Sequence, residues 1–156
     1  MKIVLISVGH MKKSYLADGV AEYIKRIKRY APVEAVEVRE EGAAAKTPRE
    51  EVLKREGERI LGRLKPGDYM VALADNGKTF TSEAFSGFIG GLMDKGTKRL
   101  CFVVGGAWGL HGSVTDAASL VLSLSRMTLP HDMARLVLAE QIYRAFTIMR
   151  GEPYSH

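Results

Sequence analysis

The sequence predicts an α/β fold in which a mainly parallel sheet is flanked by helices. Apolar runs bounded by turn residues recur along the chain, and each is followed by a stretch that could hold a helix. The runs lie at residues 2–8, 33–38, 69–74, 99–104 and 119–124. Strands that alternate with helices in this way pair in parallel. A length of 156 residues, with 46% apolar and 26% charged side chains, predicts a single domain over residues 1–156.

The first strand and the first helix follow from their periodicities. The run at 2–8 is too short for the apolar part of a signal peptide, so we interpret it as a strand. Beyond it, apolar side chains recur at spacings of four and three, which places them on one face of a helix. They are Leu16, Val20, Tyr23, Ile27 and Tyr30. Most of the neighbouring lysines and arginines fall on the other side, so we expect one packed face and one basic face.

Start signals mark the later helices. The segment Thr47-Pro48-Arg49-Glu50 supplies an N-cap, a proline at the first helical position and a glutamate at the third, and it predicts a helix beginning at about residue 48. The preceding Ala43-Ala44-Ala45 loop is expected to be mobile. Thr81 or Ser82 is suited to cap the next helix, and Ser113-Val114-Thr115-Asp116 to cap a short helix before the last strand.

The last helix, predicted from about Met133 to Met149, is apolar around most of its circumference. Such a helix must be buried on more than one side. One side can pack on the sheet, but a domain of this size has little left to cover the other. We therefore predict a homodimer through this C-terminal helix, with two-fold symmetry as the simplest arrangement. The alternative is a helix enclosed within its own domain.

The composition excludes several kinds of protein. The one cysteine, Cys101, lies inside an apolar run, so there is no disulfide framework, and we expect a buried thiol and a reducing, cytoplasmic setting. No apolar stretch approaches the roughly 20 residues that a membrane span needs. No two histidines have the spacing of metal ligands, so we predict no metal. The histidines are His10, His111, His131 and His156.

Charge and catalytic motifs narrow the function further. The net charge of +5 favours a polyanionic partner without requiring one. No Ser-His-Asp or Cys-His arrangement stands out by its spacing, which leaves hydrolase chemistry unsupported.

Two loops in the last third of the chain predict a pocket. Gly105, Gly106 and Gly109 follow the fourth apolar run, where glycine lets backbone N–H groups approach a ligand closely. Alone, such a cluster is as often a tight turn, and it is not the G-x-G-x-x-G motif of dinucleotide folds. The second loop, which contains Pro130, follows one short strand later. Together the two loops could form two walls of one pocket.

Several residues near these loops allow more than one interpretation. Trp108 could stack on a nucleobase or an adenine ring, or it could anchor the loop by packing. His131 could cap the last helix, bind phosphate or fill a turn. Glu140 and Arg144, four residues apart, could be only a helix ion pair.

At these loops the chain closely resembles the RlmH family, the small SPOUT-class methyltransferases that act on large-subunit ribosomal RNA. The resemblance extends more loosely to Lys2–Gly9, and length and element order also agree. The matching stretches are Val103-Val104-Gly105-Gly106-Ala107-Trp108-Gly109-Leu110, Ser123-Leu124-Ser125-Arg126-Met127-Thr128-Leu129-Pro130-His131, Leu138-Ala139-Glu140-Gln141-Ile142-Tyr143-Arg144-Ala145 and Gly151-Glu152-Pro153-Tyr154.

The resemblance implies a SPOUT-type fold whose C-terminal segment forms a trefoil knot, a homodimer as the active unit, and S-adenosylmethionine as cofactor. Periodicity alone cannot reveal a knot, which is very rare in proteins. By motif position, the implied cofactor contacts are Leu73, Gly105, Leu124, Ser125, Arg126, Met127, Thr128 and Leu129.

The family's reaction implies the remaining roles. It is methyl transfer to N3 of a pseudouridine, for which the protein must align N3 with the methyl group and assist loss of the N3 proton. Tyr154 and His156 are implied as catalytic or substrate-orienting groups, although the family usually ends Pro-Tyr-His-Arg and this chain ends Pro153-Tyr154-Ser155-His156. Basic side chains are candidates to hold RNA phosphates. They are Arg135, which is also implied as a catalytic residue, and Arg144, with Lys12, Lys13, Lys25 and Arg26.

Two other functions fit parts of the sequence. A non-catalytic ribosome- or RNA-binding module of the same fold would explain the basic charge and the altered tail. A doubly wound nucleotide-binding protein would use the glycine loop for phosphate, but the chain has no phosphate-loop lysine. Binding of S-adenosylmethionine separates the enzyme from both.

Overall fold

The computed structural model describes residues 1–42 and 47–154 and has an α/β architecture built on one parallel sheet. Its elements run β1 (Lys2–Val8), α1 (Ser14–Ile27), β2 (Val33–Val38), α2 (Arg49–Leu61), β3 (Tyr69–Lys78), α3 (Ser82–Asp94), β4 (Arg99–Val104), α4 (Gly112–Ala117), β5 (Leu120–Leu122) and α5 (His131–Arg150). The strand order is β2-β1-β4-β3-β5, with every pair parallel. The predicted fold class is confirmed.

Helices cover both faces of the sheet. On one face α1, α3 and α5 pack over Ile3, Val71 and Phe102, and on the other α2 and α4 pack over Ile6 and Val103. Central strands buried on both faces read as continuous apolar runs, which is why the sequence revealed them clearly. Cys101 is fully buried in β4, as predicted.

The two strands at the β5 edge of the sheet, β3 and β5, differ most from their predicted bounds. β3 continues past residue 74 to Lys78, because its end bends across β5 and pairs again there, with an irregular register between Leu73 and Lys78. An added Cβ at Gly77 would lie 2.6 Å from the Leu122 carbonyl carbon, so only glycine permits this crossing. β5, predicted over 119–124, is shorter, because the chain leaves the sheet after Leu122.

The helix starts correct two capping predictions. α2 begins at Arg49 with Pro48 as its N-cap, so Thr47 does not cap it, and Glu50 instead accepts a hydrogen bond from His111 at 3.0 Å. His111, not Ser113, caps α4, because that helix begins two residues earlier than predicted. Thr81 caps α3 as predicted. The Ala43-Ala44-Ala45 loop lies outside the described residues.

The last helix packs between its neighbours α1 and α3. Its inner face is fully buried, whereas an outward row at spacings of about four stays partly exposed. The apolar members of that row are Met133, Val137 and Ile148. Within one chain, therefore, α5 is largely but not completely covered. None of the helices over the described residues is long and apolar enough to cross a membrane.

Candidate functional site

A cavity of about 870 Å³ lies at the carboxyl edge of the sheet. Its walls are the end of β3, the glycine loop after β4, and the loop after β5, with the first turn of α5 closing one side. The carboxyl ends of parallel strands are where α/β proteins usually bind ligands, and this volume is within the range of small-molecule sites. The two loops singled out in the sequence thus meet in one cavity.

The glycine loop is both a tight turn and a cavity wall. A Cβ added to Gly105 would lie 2.2 Å from the carbonyl oxygen of Gly109, so the loop can fold back only if residue 105 has no side chain. Gly109 has a φ of +84°, which glycine tolerates. Its N–H donates to the Gly106 carbonyl at 3.1 Å. The glycines shape the loop, and the loop then presents its backbone to the cavity.

The loop after β5 is held by its own serines. Ser123 Oγ donates to the Ser125 carbonyl at 2.9 Å, and Ser125 Oγ accepts from the Met127 N–H at 2.9 Å. The Ser123 N–H also donates to the Lys78 carbonyl at 2.9 Å, which ties the loop to the bent end of β3. Backbone groups of this loop are therefore fixed in place beside the cavity.

The cavity is buried at its floor and exposed at its rim. Val104, Gly105 and Leu122 form a buried floor, while Trp108 and Met127 at the rim are 52% and 78% exposed. Seven of the eight implied cofactor contacts line the cavity, and Arg126 does not. Those seven are Leu73, Gly105, Leu124, Ser125, Met127, Thr128 and Leu129.

The sequence did not single out several polar residues of the lining, among them Asp75, Asn76 and Arg49. Asp75 and Asn76 line the cavity because β3 extends beyond its predicted end. A polar pair directly after an apolar run, at the carboxyl end of a parallel strand, was a usable signal for them. Arg49 lines the cavity from the start of α2 and contacts Trp108, which lies about sixty positions later in the chain. No local sequence pattern indicates a contact between segments so far apart.

Arg135, implied as a catalytic or phosphate-holding residue, is buried. Its side chain is 6% exposed and donates to the backbone carbonyls of Gly9, at 3.1 Å, and of Val8. Asp132 lies 3.8 Å away, and burial lowers the pKa of Arg135 despite this carboxylate. These contacts hold the start of α5 against the end of β1, so an RNA contact by Arg135 stays a prediction.

Tyr154 lies near the middle of α5 and does not line the cavity. Its ring packs edge-on against Tyr143 at 4.6 Å, and its hydroxyl lies 3.2 Å from the Tyr23 hydroxyl and donates to Glu140 Oε1 at 3.3 Å. Burial, followed by these neighbours, raises the pKa of Tyr154. Arg144 covers the ring at 4.9 Å.

The remaining candidates occupy ordinary positions. Glu140 and Arg144 form the predicted helix ion pair at 2.7 Å. Lys12, Lys13 and Lys25 are exposed, whereas Arg26 pairs with Glu22 at 2.8 Å. His131 is the first residue of α5 and lines the cavity. Across residues 1–42 and 47–154 there is no group of three or more His, Cys, Asp or Glu that could hold a metal. Ser155 and His156 lie outside the described residues.

Two solved structures, of proteins described as a probable methylase family protein and a probable methyltransferase, have a similar fold. A probable methylase family protein from Haemophilus influenzae matches with a TM-score of 0.54 at 11% identity, over 99% of this chain and 70% of the other. A probable methyltransferase from Bordetella pertussis matches with a TM-score of 0.54 at 16% identity, over 92% of this chain and 95% of the other. At these identities the similarity shows the fold alone.

Sequence comparison gives the family. Proteins named ribosomal RNA large subunit methyltransferase H, from Streptococcus pneumoniae strains CGSP14 and D39, are 46% identical over 157 residues, which covers 99% of each chain. The family model described as "Predicted SPOUT methyltransferase" matches residues 1–156. The chain belongs to the SPOUT methyltransferase family.

Proposed function

We propose that this protein transfers the methyl group of S-adenosylmethionine to N3 of a pseudouridine in large-subunit ribosomal RNA. The observation that carries the proposal is the single cavity in which the end of β3, the glycine loop and the loop after β5 meet. The printed names of the 46% identical relatives support the RNA class of the substrate. A cytoplasmic location follows, since ribosomes are the target.

The cavity has the properties that S-adenosylmethionine requires. Leu73, Leu124 and Leu129 offer apolar side chains to an adenine ring, and the fixed backbone of the loop after β5 offers N–H and C=O groups to its edges. Gly105 leaves the wall free of a side chain at the floor. The cofactor, when bound, supplies a methyl group activated by a positive sulfonium.

The protein's own contribution is orientation of the RNA base. The Tyr154 hydroxyl is protonated at neutral pH, as that of an ordinary tyrosine is, and burial followed by its contacts with Tyr23 and Glu140 raises its pKa further. The hydroxyl is therefore suited to donate a hydrogen bond to the base rather than to accept the N3 proton. Within one chain, the Tyr154 hydroxyl is hydrogen-bonded to Glu140. Glu140 lies six residues after the cavity residue Ala134 in α5, a distance of about 9 Å along the helix axis. A role in the reaction requires the tail to meet the cavity of a second copy.

We propose a homodimer formed through the outward row of α5. Its apolar members Met133, Val137 and Ile148 are partly exposed in one chain. Val137→Glu places a charge in this row and is expected to convert a dimer of about twice 17.2 kDa into a monomer by light scattering, whereas Val137→Ala keeps the dimer. A monomeric wild-type protein would overturn this part of the proposal.

The trefoil knot and the single domain over residues 1–156 are part of the same proposal. Their support is the crossing of the β3 end over β5, where Ser123 bonds to Lys78 and Gly77 passes Leu122 at backbone contact distance. The chain that follows β5 therefore lies directly against the end of β3. A C-terminal segment threaded through a knot requires such a close approach of two backbone segments.

The activity is tested with ribosomes from cells that lack this protein. Purified protein and S-adenosylmethionine with a labelled methyl group are added, and the rRNA is digested to nucleosides for mass spectrometry. We expect label in N3-methylpseudouridine alone. Absence of both calorimetric S-adenosylmethionine binding and methyl transfer would instead support the non-catalytic RNA-binding module and overturn the cofactor assignment. Binding without any methyl transfer would overturn the proposed reaction.

A further inference from the structure

Trp108, the only tryptophan of the chain, is not explained by packing. It is 52% exposed at the tip of the glycine loop, whereas a packing anchor would be buried. A large aromatic ring left open at the rim of a cavity forfeits the free energy of its burial. Its position is better explained by a partner that covers the ring during function.

Arg49 holds the indole in a defined orientation. Its guanidinium lies 5.0 Å from the ring centroid, and its Nη2 donates to the Trp108 backbone carbonyl at 3.2 Å. Both residues line the cavity at its exposed end. The mouth of the cavity therefore carries an aromatic surface with a fixed positive charge beside it, the combination that binds single-stranded nucleic acid.

We propose that Trp108 and Arg49 form a stacking platform for an unpaired nucleobase of the substrate RNA, with Arg49 also attracting the adjacent phosphate. This inference rests on the proposed methylation of RNA. It assigns Trp108 and Arg49 to RNA rather than to the cofactor. An adenine ring has less exposed apolar partners in the cavity lining at Leu73 and Leu124, and the guanidinium would repel a sulfonium cation.

The test compares three variants on ribosomes that lack the modification. Trp108→Ala is expected to lower kcat/KM for ribosomes about tenfold, mainly through KM, because it removes one base stack. Trp108→Phe keeps most of the activity, since a ring remains. Arg49→Gln raises KM severalfold and makes it less dependent on salt, because one phosphate contact is lost. All three should bind S-adenosylmethionine within about twofold of the wild type by calorimetry.

Tyr15→Ala is the matched control. Tyr15 is also an exposed aromatic residue, 64% exposed with Lys13 6.0 Å from its ring, but it does not line the cavity. Its removal is expected to leave KM for ribosomes unchanged.

Three results would overturn the platform. If Trp108→Ala kept kcat/KM within twofold, the ring would have no role in substrate binding. If it weakened S-adenosylmethionine binding by the same factor as activity, the ring would stack on the cofactor. If it changed the molar mass measured by light scattering, the ring would belong to a subunit interface. Failure of the wild-type protein to methylate ribosomes would overturn the proposed function itself. That outcome is distinct from the three above, because each of them compares a variant with an active wild-type protein.

Discussion

The two ends of the proposed site differ in how complete they are within one chain. The cavity end, at the start of α5, brings together seven of the eight implied cofactor contacts. The tail end, around Tyr154, forms a separate cluster with Tyr23, Glu140 and Arg144 on the α1 side of the same helix. The proposed cofactor site can therefore be built by one sheet edge, whereas the proposed substrate-orienting role of Tyr154 requires a contact with a second copy that one chain does not make.

The largest effect is expected from Gly105→Ala. The added Cβ would lie 2.2 Å from the Gly109 carbonyl oxygen, so the glycine loop must shift. We expect S-adenosylmethionine affinity to fall about 100-fold, since overpacking at this distance costs up to about 3 kcal/mol. Calorimetry measures the change. Gly87→Ala is the control, because nothing lies near its added Cβ in α3 and it is expected to stabilise the protein by up to about 1 kcal/mol.

Arg135→Met is expected to act mainly through stability. The change leaves the carbonyls of Val8 and Gly9 without their donor and removes the positive charge beside Asp132. Loss of one partner of a buried ionic group costs about 3 kcal/mol, which denaturant unfolding would measure. A variant of unchanged stability that loses only RNA affinity would show that Arg135 is a phosphate contact.

Tyr154→Phe is expected to affect the tail end alone. It removes the hydroxyl but keeps the ring on Tyr143, so S-adenosylmethionine should bind normally while the methylation rate falls about tenfold. Tyr23→Phe is the control, because the Tyr154 hydroxyl keeps its bond to Glu140. Equal rates for Tyr154→Phe and wild type would remove Tyr154 from the reaction.

The smallest effect is a change in the pH dependence of stability. Burial, together with a hydrogen bond from the Tyr30 hydroxyl to Glu152 at 2.5 Å, raises the pKa of Tyr30 from 10.0 to about 12. Because the folded state holds this proton more tightly, its stabilising contribution is present below pH 10 and is lost as pH rises to about 12. When thermal unfolding is measured across that pH range, the melting temperature of Tyr30→Phe should fall less steeply with rising pH than that of the wild type. An identical decline in both proteins would contradict the assignment.

The sequence predicted the features that depend on local patterns and missed those that depend on contacts between distant segments. Buried parallel strands are continuous apolar runs, so β1, β2 and β4 were predicted with their exact bounds. The bend of β3 across β5 depends on a backbone approach at Gly77, which no periodicity reveals, and Asp75 was missed with it. The contact of Arg49 with Trp108 joins distant segments and exists only after folding. Motif resemblance singled out the two loops that meet at the cavity, but not the separation of Tyr154 from them.

The most direct test of the central claim is the mass mapping of methylated nucleosides in large-subunit rRNA from cells that lack this protein. We expect one N3-methylpseudouridine to disappear from this rRNA and to return when wild-type protein is restored. We expect the Gly105→Ala variant not to restore it. An unchanged methylation pattern in large-subunit rRNA would contradict the proposed substrate.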